Sequence, residues 1–198
     1  MSKIITIGRE FGSGGRELGR RLAEQLGFEY YDREIITEIS KKTELSEEYV
    51  QQIVEHTPHH LYPITVGHSF AFSGHYALKQ VQSVYTAQEK IIKEMAEKSN
   101  CVIVGRCADY ILKEKKPFKL FVYADLESRI NRCAERDTAQ LTEKQIKSKI
   151  LRIDKNRSRY YSFYTGQTWG DKDNYDLCIN TTNTVIKDMV PVLAKIFE

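Results

Sequence analysis

Apolar residues along this chain fall into two kinds of segment that alternate. Ile4-Ile5-Thr6-Ile7, Cys101-Val102-Ile103-Val104 and Phe118–Tyr123 are short runs, apolar on both faces, as central strands of a parallel sheet must be. Between them lie longer segments with apolar residues every three or four positions. Leu18, Leu22 and Leu26 stripe a helix over 16–26 that leaves Arg20, Arg21 and Glu24 outside, and Gly27 ends it. A strand over 28–31 stops at Asp32, which can cap a helix over 33–41, and another helix starts near Ser46. Residues 76–98 read as one long helix, although Thr86 and Glu89 have the spacing of a capping box that would break it. After the strand at 118–123 come a helix over 126–136, a polar bend over 137–141, and a long helix opened by the capping-box pair Thr142 and Gln145. A strand over 176–180 and a helix over 185–197 complete the series.

Strands alternating with helices predict one α/β domain over 1–198, a five-stranded parallel sheet covered on both faces, with ligands at the carboxyl ends of its strands. The stretch 56–75 breaks the pattern. It holds Pro58, Pro63, Gly67 and all five histidines, and reads as an irregular insertion. His56, His59, His60, His68 and His75 match no compact zinc spacing, so no metal site is assigned to them.

Composition narrows the partners. A net charge of +3 from 30 bases and 27 acids argues against a nucleic-acid scaffold or an anionic membrane surface, so any basic site must be local. Cys101, Cys107, Cys133 and Cys178 are scattered, form no CxxC pair and follow no secretory signal, which suits a reduced, cytoplasmic protein. No apolar run has transmembrane length.

The local chemistry is concentrated where the first strand turns into the first helix, through Gly8-Arg9-Glu10-Phe11-Gly12-Ser13-Gly14-Gly15-Arg16-Glu17. A glycine-rich bend lets successive amides point inward, and the helix behind it adds the positive end of its dipole, which together make a phosphate cradle. The bend departs from GxxxxGK[ST], since Gly15 stands where the Lys belongs. A dinucleotide fingerprint GxGxxG fails too, because Glu17 falls on the third glycine, yet Asp32 lies at the distance of a ribose-binding acid. Cations cluster by the same logic. Arg9 and Arg16 flank the bend, Arg106 follows a central strand, and Arg152, Arg157 and Arg159 crowd the long late helix, while Arg129 and Arg132 read as surface residues. The arginine fork donates paired hydrogen bonds and keeps its charge, as a migrating phosphoryl group requires. Asp32, Glu17 and Asp109 can orient these arginines or Mg²⁺ waters. Tyr160, Tyr161, Phe163, Tyr164, Trp169 and Tyr175 suit packing of a long loop better than stacking of a base.

GREFGSGGRELG, FEYYDREII, CVIVGRCADYIL and YYSFYTGQTWG together resemble the cytidylate kinase-like family, over nearly the whole chain. The resemblance implies a three-layer α/β/α P-loop kinase-like fold with a helical lid near 137–159. It implies ATP and Mg²⁺ as cofactors, and phosphoryl transfer to a nucleoside monophosphate, CMP by default, or another small acceptor. Gly12, Ser13, Gly14, Gly15, Arg16 and Glu17 then correspond to the ATP-binding loop; Asp32, Arg106, Asp154 and Arg157 to the acceptor site; and Arg16, Arg106 and Arg157 to the catalytic cations. Arg16 stands in for the missing lysine. Cys107 replaces the Asp that follows Gly-Arg in cytidylate kinases, and an acceptor-site arginine after Asp32 is missing. A nucleotide-binding protein without transfer chemistry and a dinucleotide-binding module are the alternative readings.

Overall fold

The computed structural model describes the backbone of residues 3–55 and 71–197, with side chains outside 55 and 71–78. The elements are β1 (Ile4–Arg9), α1 (Gly15–Leu26), β2 (Glu29–Tyr31), α2 (Glu34–Thr43), α3 (Glu47–Glu55), α4 (Ala71–Lys98), β3 (Cys101–Val104), α5 (Ala108–Ile111), β4 (Phe118–Tyr123), α6 (Leu126–Glu135), α7 (Glu143–Thr165), β5 (Leu177–Asn180) and α8 (Ile186–Ala194). All strand pairs are parallel, in the order β2-β3-β1-β4-β5. The alternating side chains of β1 explain why helices cover both faces. Ile5 and Ile7 join Val102, Val104, Leu120 and Val122 beneath α1 and α8. Ile4, Cys101 and Ile103 pack on the other face, beneath α2, α3, α4 and α5. Leu18 and Leu22 are completely buried, and each such side chain contributes about 1.5–3 kcal/mol over an exposed one.

The strand order bears on function. β1 lies between β3 and β4, so β2 is at the sheet edge and Asp32 ends a strand that does not neighbour β1. A dinucleotide-binding sheet instead sets β2 directly beside β1. The connection reverses direction at β1, and ligands of such sheets enter at that crevice, where the glycine bend and the turn after β3 both emerge.

Asp32 and the insertion depart from expectation, while the long helix follows it. Asp32 caps nothing: Arg33 holds the N-cap position of α2 without a side-chain bond, and the Asp32 carboxylate is drawn away by arginines. α4 is unbroken at Thr86, because Glu89 pairs forward with Lys93 while Val84, Ile91 and Ile92 keep a continuous buried stripe. Of the irregular insertion, 56–70, with His56, His59, His60 and His68, lies outside the described residues, and 71–75, with His75, is helical backbone. No helix among the described residues is long and apolar enough to cross a membrane.

The α6–α7 hairpin carries a small core of its own, Ile130, Ile146 and Ile150, against which Phe11 of the glycine bend packs. Thr142 opens α7 with a complete capping box: its hydroxyl accepts from the Gln145 amide and its own amide donates to the Gln145 side chain. Thr142→Ala should therefore cost about 1 kcal/mol of stability in urea unfolding. An unchanged midpoint would show that α7 is held by its packing alone.

Candidate functional site

The bend between β1 and α1 takes its shape from glycine. Gly12 and Gly14 have φ of 81° and 83°, left-handed values that side chains disfavour, and a Cβ on Gly14 would lie 2.6 Å from Ile186 Cδ1. Inside the bend, Ser13 is fully buried: its hydroxyl donates to the Glu10 carbonyl at 2.9 Å and accepts the Gly15 amide at 3.4 Å. Thr181, at the end of β5, clamps the bend from below by donating to the Ser13 carbonyl at 2.7 Å. Among the described residues, the amides of Gly12, Gly14, Arg16 and Glu17 find no protein acceptor. They are the donors an oxyanion would meet at the start of α1.

Arg129 anchors the bend from the other side and is not the surface residue its helical position suggests. It is 6% exposed; its Nε donates to the Phe11 carbonyl at 2.8 Å, one guanidinium nitrogen meets Glu10 at 3.0 Å, and the other pairs with Asp154. Asp154 also accepts the Phe11 amide at 2.8 Å, so this carboxylate closes the loop's own hydrogen bonds. Burial pushes both the Glu10 and the Asp154 carboxyls above the usual range, and hydrogen bonds and Arg129 pull against it. Arg132 belongs to the same framework, bonding the carbonyls of Thr181 and Thr184.

Four arginines face one another across the crevice. Arg9 is largely enclosed at the end of β1; desolvation first, then Arg157, hold its guanidinium well below the usual range, while Asp32 acts in the opposite direction and Arg106 and Arg16 add to the lowering. Arg16 Nε meets Asp32 at 2.6 Å, and Arg9 Nη2 lies 4.0 Å from the same carboxylate. Arg157 donates to the Arg9 carbonyl at 3.2 Å and stacks over Phe11. Arg106 sits in a turn, Gly105-Arg106-Cys107, in which all three residues have positive φ. Two of them are not glycine, which is strain of the kind held at functional sites. Gln88, fully buried in α4, fixes this turn by donating to the Arg106 carbonyl at 3.0 Å.

Two cavities meet at these arginines. An outer one of about 250 Å³ lies over the bend and beneath α6 and α7, lined by Gly12, Gly14, Gly15, Cys133 and Lys149 among others. An inner one of about 70 Å³ runs along the turn after β3, lined by Thr6, Arg106, Asp109, Tyr161 and Trp169. Arg9, Arg16 and Arg157 line both. Thr6 Oγ1 and Arg106 Nε are buried without a hydrogen-bond partner among the described residues. Asp109, the one carboxylate lining the inner cavity among the described residues, accepts the Tyr161 hydroxyl at 2.6 Å.

A sequence profile of the cytidylate kinase-like family matches residues 4–183. The chain belongs to that family. It is 27% identical to a cytidylate kinase of Archaeoglobus fulgidus over 199 aligned positions, covering 98% of this chain and 94% of the relative. A cytidylate kinase of Staphylothermus marinus is 26% identical, with 98% and 96% covered. Among solved structures, an uncharacterized protein from Eubacterium ventriosum superposes with a TM-score of 0.71 at 27% identity, covering 98% of both chains. A shikimate kinase from Acinetobacter baumannii, solved with shikimate, gives a TM-score of 0.54 at 16% identity over 100% of this chain and 93% of its own. The last likeness concerns the fold alone: the three-layer α/β/α arrangement of P-loop kinases.

Within this family member, the aromatic stretch serves largely as packing. Tyr160, Tyr161 and Tyr175 are buried, Tyr164 stacks on Tyr85 with centroids 3.9 Å apart, and Trp169 meets Phe121 edge-on, while Phe163 is 47% exposed. Glu10, Arg129 and Thr181 escape a sequence reading because they hold the bend from β1, α6 and β5, three separated places.

Asp109 makes the site sensitive to pH. Burial raises its carboxyl above the ordinary 3.8, against the Tyr161 hydrogen bond. The folded state therefore binds a proton more readily than the unfolded chain. Its contribution to stability is fullest in acid and declines as pH rises from about 4 through the raised value. Asp109→Asn should flatten that decline in unfolding midpoints recorded from pH 4 to 7. Parallel profiles for the two proteins would contradict it.

Proposed function

We propose that the protein transfers the terminal phosphoryl group of ATP to a small phosphorylated acceptor, with a nucleoside monophosphate, and CMP first, as the acceptor to test. The observation that carries this reading is the sharing of Arg9, Arg16 and Arg157 between two cavities, one floored by unpaired amides and the other by Arg106. The outer cavity takes the ATP phosphates, over Gly12, Ser13, Gly14, Gly15, Arg16 and Glu17. The inner cavity takes the acceptor. A phosphate acceptor also suits the chemistry, since its nucleophilic oxygen is already ionised at neutral pH and needs no strong base. The acceptor oxygen forms a bond to the γ-phosphorus as the bond to the β,γ-bridging oxygen breaks, and charge spreads over the migrating group. Arg106 and Arg157 stabilise it from the acceptor side and the lid side. Arg16 approaches from the mouth, oriented by Asp32. The names of the archaeal relatives support cytidylate as the first acceptor.

Magnesium fits less simply. The Glu17 carboxylate is taken by Arg21 and Arg136, and Asp32 by Arg16, so neither offers free oxygens without releasing an arginine. An ion arriving with ATP is held mainly by phosphate oxygens and water and needs no protein cage. No step is assigned to it.

The assay is direct. Purified protein with ATP and a panel of nucleoside monophosphates should yield ADP stoichiometrically with the diphosphate of one of them. Arg106→Ala should lower kcat/KM about 10²–10³-fold, about 2.7–4 kcal/mol, as removal of a preorganised donor does. Saturable ATP binding with no transfer to any acceptor would favour a nucleotide-binding protein without turnover.

The lid reading is separately testable. α7 runs unbroken from Glu143 to Thr165 and its last turns are anchored by buried Tyr160 and Tyr161, so closure has to pivot near that end and carry 137–159 with it. Amide exchange over 137–159 should slow when a bisubstrate dinucleotide analogue is added. Equal exchange with and without the analogue would make this segment a fixed wall.

A further inference from the structure

We propose that Arg9 supplies the fixed positive charge on the ATP phosphates, and that Gly15 lacks a side chain because Arg9 occupies its space. The proposal rests on the ATP-dependent reading above and names the residue that makes its divergent loop workable. In the GxxxxGK arrangement the first glycine lies six positions before the lysine. With Gly14 as the last glycine and Gly15 at the lysine position, Arg9 stands at the first glycine. The chain thus reads Arg-x-x-x-x-Gly-Gly, with cation and glycine exchanged between the two ends of the loop.

The geometry explains why both changed together. A Cβ built on Gly15 falls 2.6 Å from Arg9 Cβ, closer than such atoms approach, and a tight 3.2 Å from Val122 Cβ. Positions 9 and 15 compete for one space, so a residue with a side chain at one requires glycine at the other. From there the Arg9 stem runs beneath the crevice to the turn after β3, where a Cβ on Gly105 would meet Arg9 Nη1 at 1.8 Å. Gly105 leaves room for this approach, and its φ of 75° is a left-handed value that favours glycine. The guanidinium ends between the outer and the inner cavity, its side chain 13% exposed.

Charge completes the case. Arg157, Arg106 and Arg16 surround Arg9, and among the described residues its ion-pair partner is Asp32 at 4.0 Å, a carboxylate that Arg16 already holds at 2.6 Å. A buried cation so incompletely paired is costly unless an anion joins it. Arg16, which the sequence offers as the substitute lysine, commits its Nε to Asp32 and is half exposed at the mouth. Arg9 is the cation held in place before ligand arrives.

Three variants test this. Arg9→Met keeps the stem and removes the charge; Arg9→Gly with Gly15→Lys returns the cation to the lysine position; Gly15→Ala leaves the arginine but takes its space. Calorimetric affinities for ATP and adenosine are compared in each, since a contact to the phosphates moves the first and not the second. Arg9→Met and Gly15→Ala should each weaken ATP at least tenfold with adenosine unchanged, and the exchanged pair should recover a measurable part. If Arg9→Met fails to fold, Gly15→Ala decides by the same ATP-to-adenosine ratio. A ratio that stays at the parent value while the parent binds ATP overturns the role of Arg9 and leaves the kinase reading standing. A parent protein that binds no ATP overturns both.

Discussion

Burial of the Arg129 guanidinium is the constraint on which the rest of the site depends. A charge taken out of water in this way is tolerated only when it is paired and hydrogen-bonded, and here Glu10, the Phe11 carbonyl and Asp154 engage all three guanidinium nitrogens. Those partners come from β1, the glycine bend and α7, while Arg129 itself is on α6. One side chain thereby ties the bend to both helices that roof the outer cavity. The Phe11 ring, seated against Ile130, Ile146 and Ile150, adds an apolar contact to the same junction. With the bend held from outside by Arg129 and from below by Thr181, its amides remain turned toward the crevice and need not be reorganised when an anion arrives.

Arg129 is buried and Arg9 largely so, and the difference in how they are paired separates the framework from the proposed phosphate contact. Arg129 is matched by two carboxylates and a carbonyl. Arg9 is surrounded by three more arginines and shares a single carboxylate with one of them. Low dielectric magnifies both the attraction in the first case and the imbalance in the second. An imbalance of that sign at the meeting of two cavities is the electrostatic requirement for a doubly or triply charged phosphate.

Much of this fold is legible in the sequence because each strand is a short two-faced apolar run and each helix a single apolar stripe. Leu18, Leu22 and Leu26 mark α1 without ambiguity, and the Thr142–Gln145 box marks the start of α7 to the residue. Asp32 has the position of a cap in sequence because spacing alone cannot tell a carboxylate serving backbone amides from one drawn to Arg16. The Thr86–Glu89 pair was ambiguous for a similar reason: a capping box ends a helix only where the apolar stripe also ends, and in α4 it continues. The arginines are harder still. Arg129 and Arg132 lie in a segment that reads as an amphipathic surface helix, and only the return of α7 and β5 over them creates their burial.

The same limit explains why the glycine bend is best understood as a pair of positions rather than as a motif with one residue missing. Read along the chain, Gly15 is a lost lysine and Arg9 an unrelated strand residue. In space their β-carbons would compete for one site, so the loss and the gain are a single event. A loop can move its cation from the helix side to the strand side only if three conditions hold. The vacated position must shed its side chain, the new stem must find a path under the crevice, and the residue at the end of that path must also be glycine. Gly15, the Arg9 stem that reaches the turn after β3, and Gly105 meet these conditions in turn. The charge that reaches the crevice is then a planar fork fixed in the sheet, where a lysine would be a mobile ammonium on a helix, and its position relative to Arg106 is set by the pairing of β1 with β3.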